Sequence, residues 1–173
     1  GALFAHLQRV LVGNENWQMF PTRIQVAARN QGVMFATLHI VGSNNNLESR
    51  DIAANREFFE RDAANVAWIT SSFEQARALQ ASAVVFAFQA DVLENKTLWE
   101  DFPGWSGFKS IGNTLLPMAH QWGKPVLVVH GDSHQFRIDQ PFQLDKKPLR
   151  NVTRLIVPGA SDVRAVKVTV KND

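Results

Sequence analysis

Three short apolar runs, each of strand length and each ending in polar residues, constrain this chain more than any other feature. They are Gly32–Leu38, Ser82–Phe88 and Lys124–Val129. The first leads into His39 and then Gly42-Ser43-Asn44-Asn45-Asn46, the second into Gln89-Ala90-Asp91, the third into His130-Gly131-Asp132-Ser133-His134. Continuous β-branched runs, as opposed to alternating ones, belong to strands buried on both faces, as in a parallel sheet. Open α/β sheets place ligands at the C-terminal ends of such strands. The three runs therefore predict a site where polar groups gather at one end of a sheet.

The segments between them have helical spacing. From Ser49 to Gln80 the positions Phe59, Ala63, Val66, Ile69 or Thr70, Phe73, Ala76 and Leu79 fall on one face. That span exceeds an ordinary helix, so residues 51–56 are expected as a separate first turn or loop. A second helix is expected over Phe108–Trp122, with Gly123 as its stop. Ala2–Val12 has helical spacing as well and is broken at Gly13-Asn14-Glu15-Asn16-Trp17. Strand, helix, strand, helix, strand gives parallel βαβ units with right-handed crossovers. Beyond His134 the pattern turns antiparallel, in Phe136–Ile138, Val152–Val157 and the strict alternation of Val163–Val170, which implies one wet face. These closing strands are expected in a hairpin at a sheet edge or in a second sheet. The expected fold class is α/β, a layered sheet with βαβ units and antiparallel C-terminal strands, in a single domain over residues 1–173.

Composition excludes several functions. The pI near 9.2 reflects a formal charge of only +2 in a chain without Cys or Tyr, where almost nothing titrates between His and Lys. Lys and Arg are scattered, so the basic patch of a nucleic-acid interface is missing. Without Cys there are no disulfides, iron–sulfur clusters or thiolate zinc sites. No apolar run approaches the length that spans a bilayer. No G-x-G-x-x-G opens a helix, which removes the dinucleotide-binding reading. Compartment is left open.

The residues at the strand ends admit two readings each. Asp132 and His134 are close enough on a Gly turn to share one divalent cation; equally, Asp132 caps the turn while His134 packs on Phe136. His130 closes a buried strand, where a His is more often structural than a ligand. The Asn run after Gly42 is first a loop signal, since Asn tolerates left-handed backbone, though amides also ligate hard cations and hold phosphate oxygens. Gln89 and Asp91 stand in the same balance. The aromatic stretch Trp99, Phe102, Trp105, Phe108 either covers the sheet end or walls a pocket. Asn65 and Trp68 read as packing.

Taken together, Val33–Asn45, Phe86–Asp91 and Val129–His134 resemble a bacterial branch of the calcineurin-like metallophosphoesterases. The resemblance implies a four-layer α/β/β/α sandwich with a two-metal site (manganese, zinc or iron) at strand ends, and hydrolysis of small phosphate esters. Gly131-Asp132-Ser133-His134 falls on the family's late G-H-x-H motif, which implies metal contacts for His134 and for Asp132, in place of the first His. Gln89 stands where the family has a lone His ligand. His39 and Asn45 would line the pocket as donors to phosphate oxygens or the leaving group. Gly13–Trp17 faintly resembles G-N-H-E, with Asn14 at a ligand position, but reads more simply as a loop. The early D-x-H and G-D-x-x-D motifs are not found on the first strands. The likeness therefore covers the C-terminal half of the family fold, as part of a longer protein or as a truncated relative. Two-metal hydrolysis needs a bridging carboxylate and some six ligands around ions about 4 Å apart, more than these residues offer. The alternative is a non-catalytic binding or assembly module. Missing strands would leave an apolar face and edges open, for which a homodimer is the expected remedy.

Overall fold

The computed structural model describes residues 25–28, 32–48, 50–93, 106–159 and 161–169 of the 173. Its main sheet has six strands: β1 (Gln25–Ala28), β2 (Val33–Thr37), β3 (Ala83–Ala87), β4 (Val126–His130), β5 (Arg137–Asp139) and β8 (Val152–Ile156). They run in the order β1-β2-β3-β4-β8-β5. The four inner strands β2, β3, β4 and β8 are parallel, and β1 and β5 close the two edges antiparallel. A small hairpin, β6 (Gln143–Leu144) with β7 (Lys147–Pro148), lies between β5 and β8.

Helix α1 (Ile52–Ala78) joins β2 to β3, and α2 (Lys109–Trp122) precedes β4. The α/β fold class and the parallel βαβ order hold. Residues 51–56 are not a separate loop. Asp51 is the N-cap of one continuous helix, its carboxylate accepting from the Ala54 N–H at 2.9 Å. Helix α2 ends at Gly123, whose φ of 69° gives the left-handed C-cap that a side chain would strain.

Both helices pack on one face of the sheet, against Met34, Phe86, Phe88, Val84, Val126 and Val128. Phe73 of α1 anchors this layer, tilted against Phe86 at 5.4 Å and Trp122 at 6.3 Å between ring centroids. The buried stripe of α1 is Phe58, Arg61, Asn65, Ile69, Ser72, Phe73 and Ala76. Phe59 and Leu79, expected inward, are 62% and 59% exposed, and Ala63 is exposed too. Ile69, Phe73 and Ala76 face inward as expected, whereas the first turns are rotated because Arg61 and Asn65 face inward there, and apolar periodicity does not register polar residues.

On the opposite face, register aligns Phe35, Val85, Leu127 and Thr153 in one row. Thr37, Ala87, Val129, Leu155 and Ile138 form the next.

Ala2–Val12 and Gly13–Trp17 lie outside the described residues. Strand β1 went unanticipated. Residues 163–169, expected as an alternating strand, carry no ladder; Val163 is 94% exposed and Val168 54%. An alternating pattern specifies a strand only where a neighbour offers its backbone. Segment 152–157 was expected among antiparallel closing strands. β8 is instead an inner strand, parallel to β4, and only its outer partner β5 is antiparallel.

Candidate functional site at the strand ends

Strands β2, β3 and β4 are parallel neighbours, so their polar tails emerge at one end of the sheet. Gln89 from β3 and Asp132 from β4 converge there on Gly42. The Gly42 N–H donates to Gln89 Oε1 at 2.6 Å. A Cβ built on Gly42 would lie 3.1 Å from Asp132 Oδ2 and 3.5 Å from both Asp132 Oδ1 and Gln89 Oε1. Glycine at 42 thus leaves room for two oxygen donors to approach the backbone. Asp132 itself has φ 71° and accepts from the Asp91 N–H at 3.3 Å.

His134 also has positive φ, and its ring faces Gly159 after β8, where a Cβ would strike Nδ1. Gly159 is therefore a packing requirement of His134. The Gly42 contact gathers Asp132 and Gln89 and does not include His134.

Residues 43–46 form a left-handed turn. Ser43, Asn44, Asn45 and Asn46 have φ of 52°, 57°, 56° and 63°. L-residues resist this conformation, Asn least among those with side chains, at roughly 1–2 kcal/mol each. Side chains hold the strain. Arg61, buried on α1, donates through Nη1 to Asn45 Oδ1 at 2.5 Å and His39 O at 2.9 Å, and through Nη2 to Asn45 O at 2.8 Å. Glu57 fixes the guanidinium from below, at 2.5 Å from Nε and 3.0 Å from Nη2. Those bonds draw the Glu57 carboxyl below its ordinary pKa. Asn65 exchanges two hydrogen bonds with the His39 backbone, at 3.0 and 2.8 Å.

Asn45 is fully buried, its Oδ1 shared by Val41 N–H and Arg61 and its Nδ2 given to Gly107 O at 2.9 Å. It does not line a pocket as expected: its amide is spent on holding the turn. His39 is exposed at the mouth of this end. Arg61 and Asn65 are what sequence reasoning missed; a buried Arg one turn after Glu57 is the signal that would have found them.

A charged row runs beneath the site on the helix side. Arg154 of β8 binds Asp139 through both carboxylate oxygens, at 2.8 and 2.7 Å, and lies 3.6 Å from Asp91 Oδ1. His130 stacks on Phe88 and gives Nδ1 to Gly131 O at 3.1 Å. Its Nε2 is 3.8 Å from Asp91 Oδ1 and has no hydrogen-bond partner. Thr37 Oγ1 and Ser133 Oγ are buried without partners at the same end. Orphaned buried polar atoms are rare in native proteins and mark sites where a ligand or water belongs.

Burial holds the His130 pKa below the ordinary 6.5; Arg154 adds to this, and Asp91, Asp132 and the Gly131 carbonyl oppose it. The unfolded chain then takes up the proton first. His130 costs the fold nothing above pH 6.5 and destabilises it progressively as pH falls below that value, with a slope of at most about 1.4 kcal/mol per pH unit. Urea unfolding at a series of pH values checks this: His130→Gln should flatten the acid limb, and an unchanged slope would remove His130 as its cause.

Among the described residues no group of three or more His, Asp or Glu side chains gathers as a metal centre. Gln89 Oε1 and Asp132 supply two oxygen donors, one already bonded to Gly42. This donor set does not fit a dinuclear centre. No helix among the described residues is long and apolar enough to cross a membrane. No protein-family model matches the chain, and no curated protein matches it.

Proposed function

We propose that this chain carries part of a metal-dependent phosphoesterase-like site, the C-terminal strand ends of a calcineurin-like fold. The observation that carries this reading is the convergence of Asp132 and Gln89 on Gly42, at the ends of three adjacent parallel strands. Asp132 and Gln89 are the proposed contacts to a divalent ion (manganese, zinc or iron), with His39 at the mouth to meet a phosphate oxygen; His134, its ring turned to Gly159, stands apart from them. A bound ion would polarise the phosphoryl group and activate water; the carboxylate that bridges two ions has no counterpart among the described residues. By itself the chain is therefore expected to bind without turning over. A homodimer belongs to the same proposal.

A second reading has its own support. Gln89 at a ligand position, engaged by a backbone N–H at 2.6 Å, suits a binding or assembly module that keeps the fold and has lost the chemistry.

Hydrolysis of an activated phosphodiester with excess Mn²⁺ separates the parts of the proposal. No turnover above the metal-only background is expected; turnover abolished by Asp132→Asn would overturn the incompleteness of the site. Gly42→Ala probes the convergence directly. Its Cβ displaces the end of a flexible carboxylate, so stability should change by less than about 1 kcal/mol. Affinity for Mn²⁺ should fall by about tenfold or more, as when groups that orient a ligand are disturbed. Calorimetric titration and urea unfolding read the two quantities, and equal affinity in both proteins would detach Gly42 from the site.

A further inference from the structure

Two buried polar side chains of α1 are committed to the backbone of one exposed residue. Asn65 accepts the His39 N–H through Oδ1 at 3.0 Å and donates through Nδ2 to the His39 carbonyl at 2.8 Å. Arg61 Nη1 donates to the same carbonyl at 2.9 Å. The residues on either side bond toward β3. The Leu38 N–H donates to Ala87 O, and Ile40 O accepts from the Gln89 and Ala90 N–H groups, both at 3.2 Å. A carboxamide carries the donor and the acceptor of a peptide group. Asn65 therefore pairs with His39 as a residue of a neighbouring strand would, two residues beyond the point where the β2 ladder ends at Thr37. These bonds hold the backbone and leave the His39 ring exposed.

We propose that Asn65 is a positioning residue: by fixing the His39 backbone it aims the imidazole at a phosphate oxygen beside Asp132 and Gln89. This rests on the reading above, in which His39 meets that oxygen. Partial burial, and after it the Arg61 guanidinium, hold the His39 pKa below 6.5, against the pull of Glu57. A neutral imidazole offers a directed N–H and no charge, so its aim decides the contact. The aim is shared with the proposed ligand, because Ile40 O ties the residue after His39 to the Gln89 backbone. Asn65 is 5% exposed, on the stripe that also buries Phe58 and Ile69. A buried carboxamide is costly there unless it is hydrogen-bonded, and both of its bonds go to His39.

The test uses the full chain with Mn²⁺ and inorganic phosphate. Relaxation enhancement of the phosphorus nucleus by protein-bound Mn²⁺ reads phosphate affinity, and enhancement of the water protons reads the ion itself. His39→Ala should weaken phosphate binding by about tenfold, as when groups that orient a ligand are disturbed. Asn65→Ala should weaken it as much, with Mn²⁺ affinity unchanged; general damage to the fold would lower both. Asn65→Asp keeps the size and the acceptor for the N–H but not the amide donor to the carbonyl, and should also weaken phosphate. It serves if circular dichroism shows that Asn65→Ala does not fold. Because Asn65 acts through His39, the double variant His39→Ala with Asn65→Ala should bind phosphate no worse than His39→Ala alone. Additive losses, or wild-type phosphate affinity in the folded Asn65 variants, overturn the inference and leave the ion site standing. Unchanged phosphate affinity in His39→Ala overturns the His39 contact itself. A wild-type chain that holds no Mn²⁺ is recognised from the water signal alone, and overturns the site and this inference together.

Discussion

Arg61→Ala should cost about 3–5 kcal/mol in urea unfolding, as loss of one partner from a buried charged network does. Arg61 is 3% exposed and reaches three backbone or side-chain oxygens of the His39–Asn45 segment besides Glu57. Without it, four consecutive left-handed residues lose the group that holds them, and Asn45 Oδ1 keeps only the Val41 N–H. Strain of this kind persists only where the surroundings over-determine it. Arg61→Lys should recover little, because an ammonium cannot span Asn45 O, Asn45 Oδ1 and Glu57 with a planar fork. A cost under about 1 kcal/mol, with the denaturant slope unchanged, would mean that the turn is held from elsewhere.

Arg154→Ala is expected to have an effect of the same order, about 3–5 kcal/mol, for a different reason. It strips Asp139 of a two-pronged partner and leaves Asp91, 8% exposed, without its nearest cation. Removing Asp139 alone should cost less, since Arg154 keeps Asp91 and Asp139 is half-buried. The pair should therefore be non-additive: Arg154→Met with Asp139→Asn should be less harmful than the sum of the single changes. A double-mutant cycle in urea measures the coupling, and additive costs would show that the two groups act independently. Asp91 also donates its N–H to Asp132, so this row is the floor on which the proposed ligand rests.

The parts of the fold legible in the sequence were those where one physical pattern dominates. Val126–Val129 is apolar on consecutive residues because β4 lies between β3 and β8 in the middle of the sheet, and the reading of β2 and β3 follows the same logic. Gly123 marked the end of α2 because a left-handed cap selects glycine. Helix α1 was found, with Ile69, Phe73 and Ala76 inward as expected, but its first turns were misphased, since Arg61 and Asn65 face inward to bind backbone oxygens and no hydrophobic scale counts that as burial. Segment 163–169 has strand chemistry without a strand, because a ladder depends on a neighbour that the local sequence does not contain. The site divides along the same line. The approach of Asp132 to Gln89 follows from the adjacency of β3 and β4, parallel strands of the βαβ units that the apolar runs predicted. That Asn45 turns inward depends on Gly107, 62 residues away, and on Arg61. Long-range bonds of this sort leave no local spacing to read.

Equilibrium titration of the chain with Mn²⁺, wild type beside Asp132→Asn, tests the proposed site most directly. The proposal predicts no more than one ion per chain, held weakly by few protein ligands, and loss of that binding in Asp132→Asn. Two ions per chain would contradict the incomplete donor set. Binding that Asp132→Asn leaves unchanged, or no binding even with excess ion, would contradict a metal site at these strand ends.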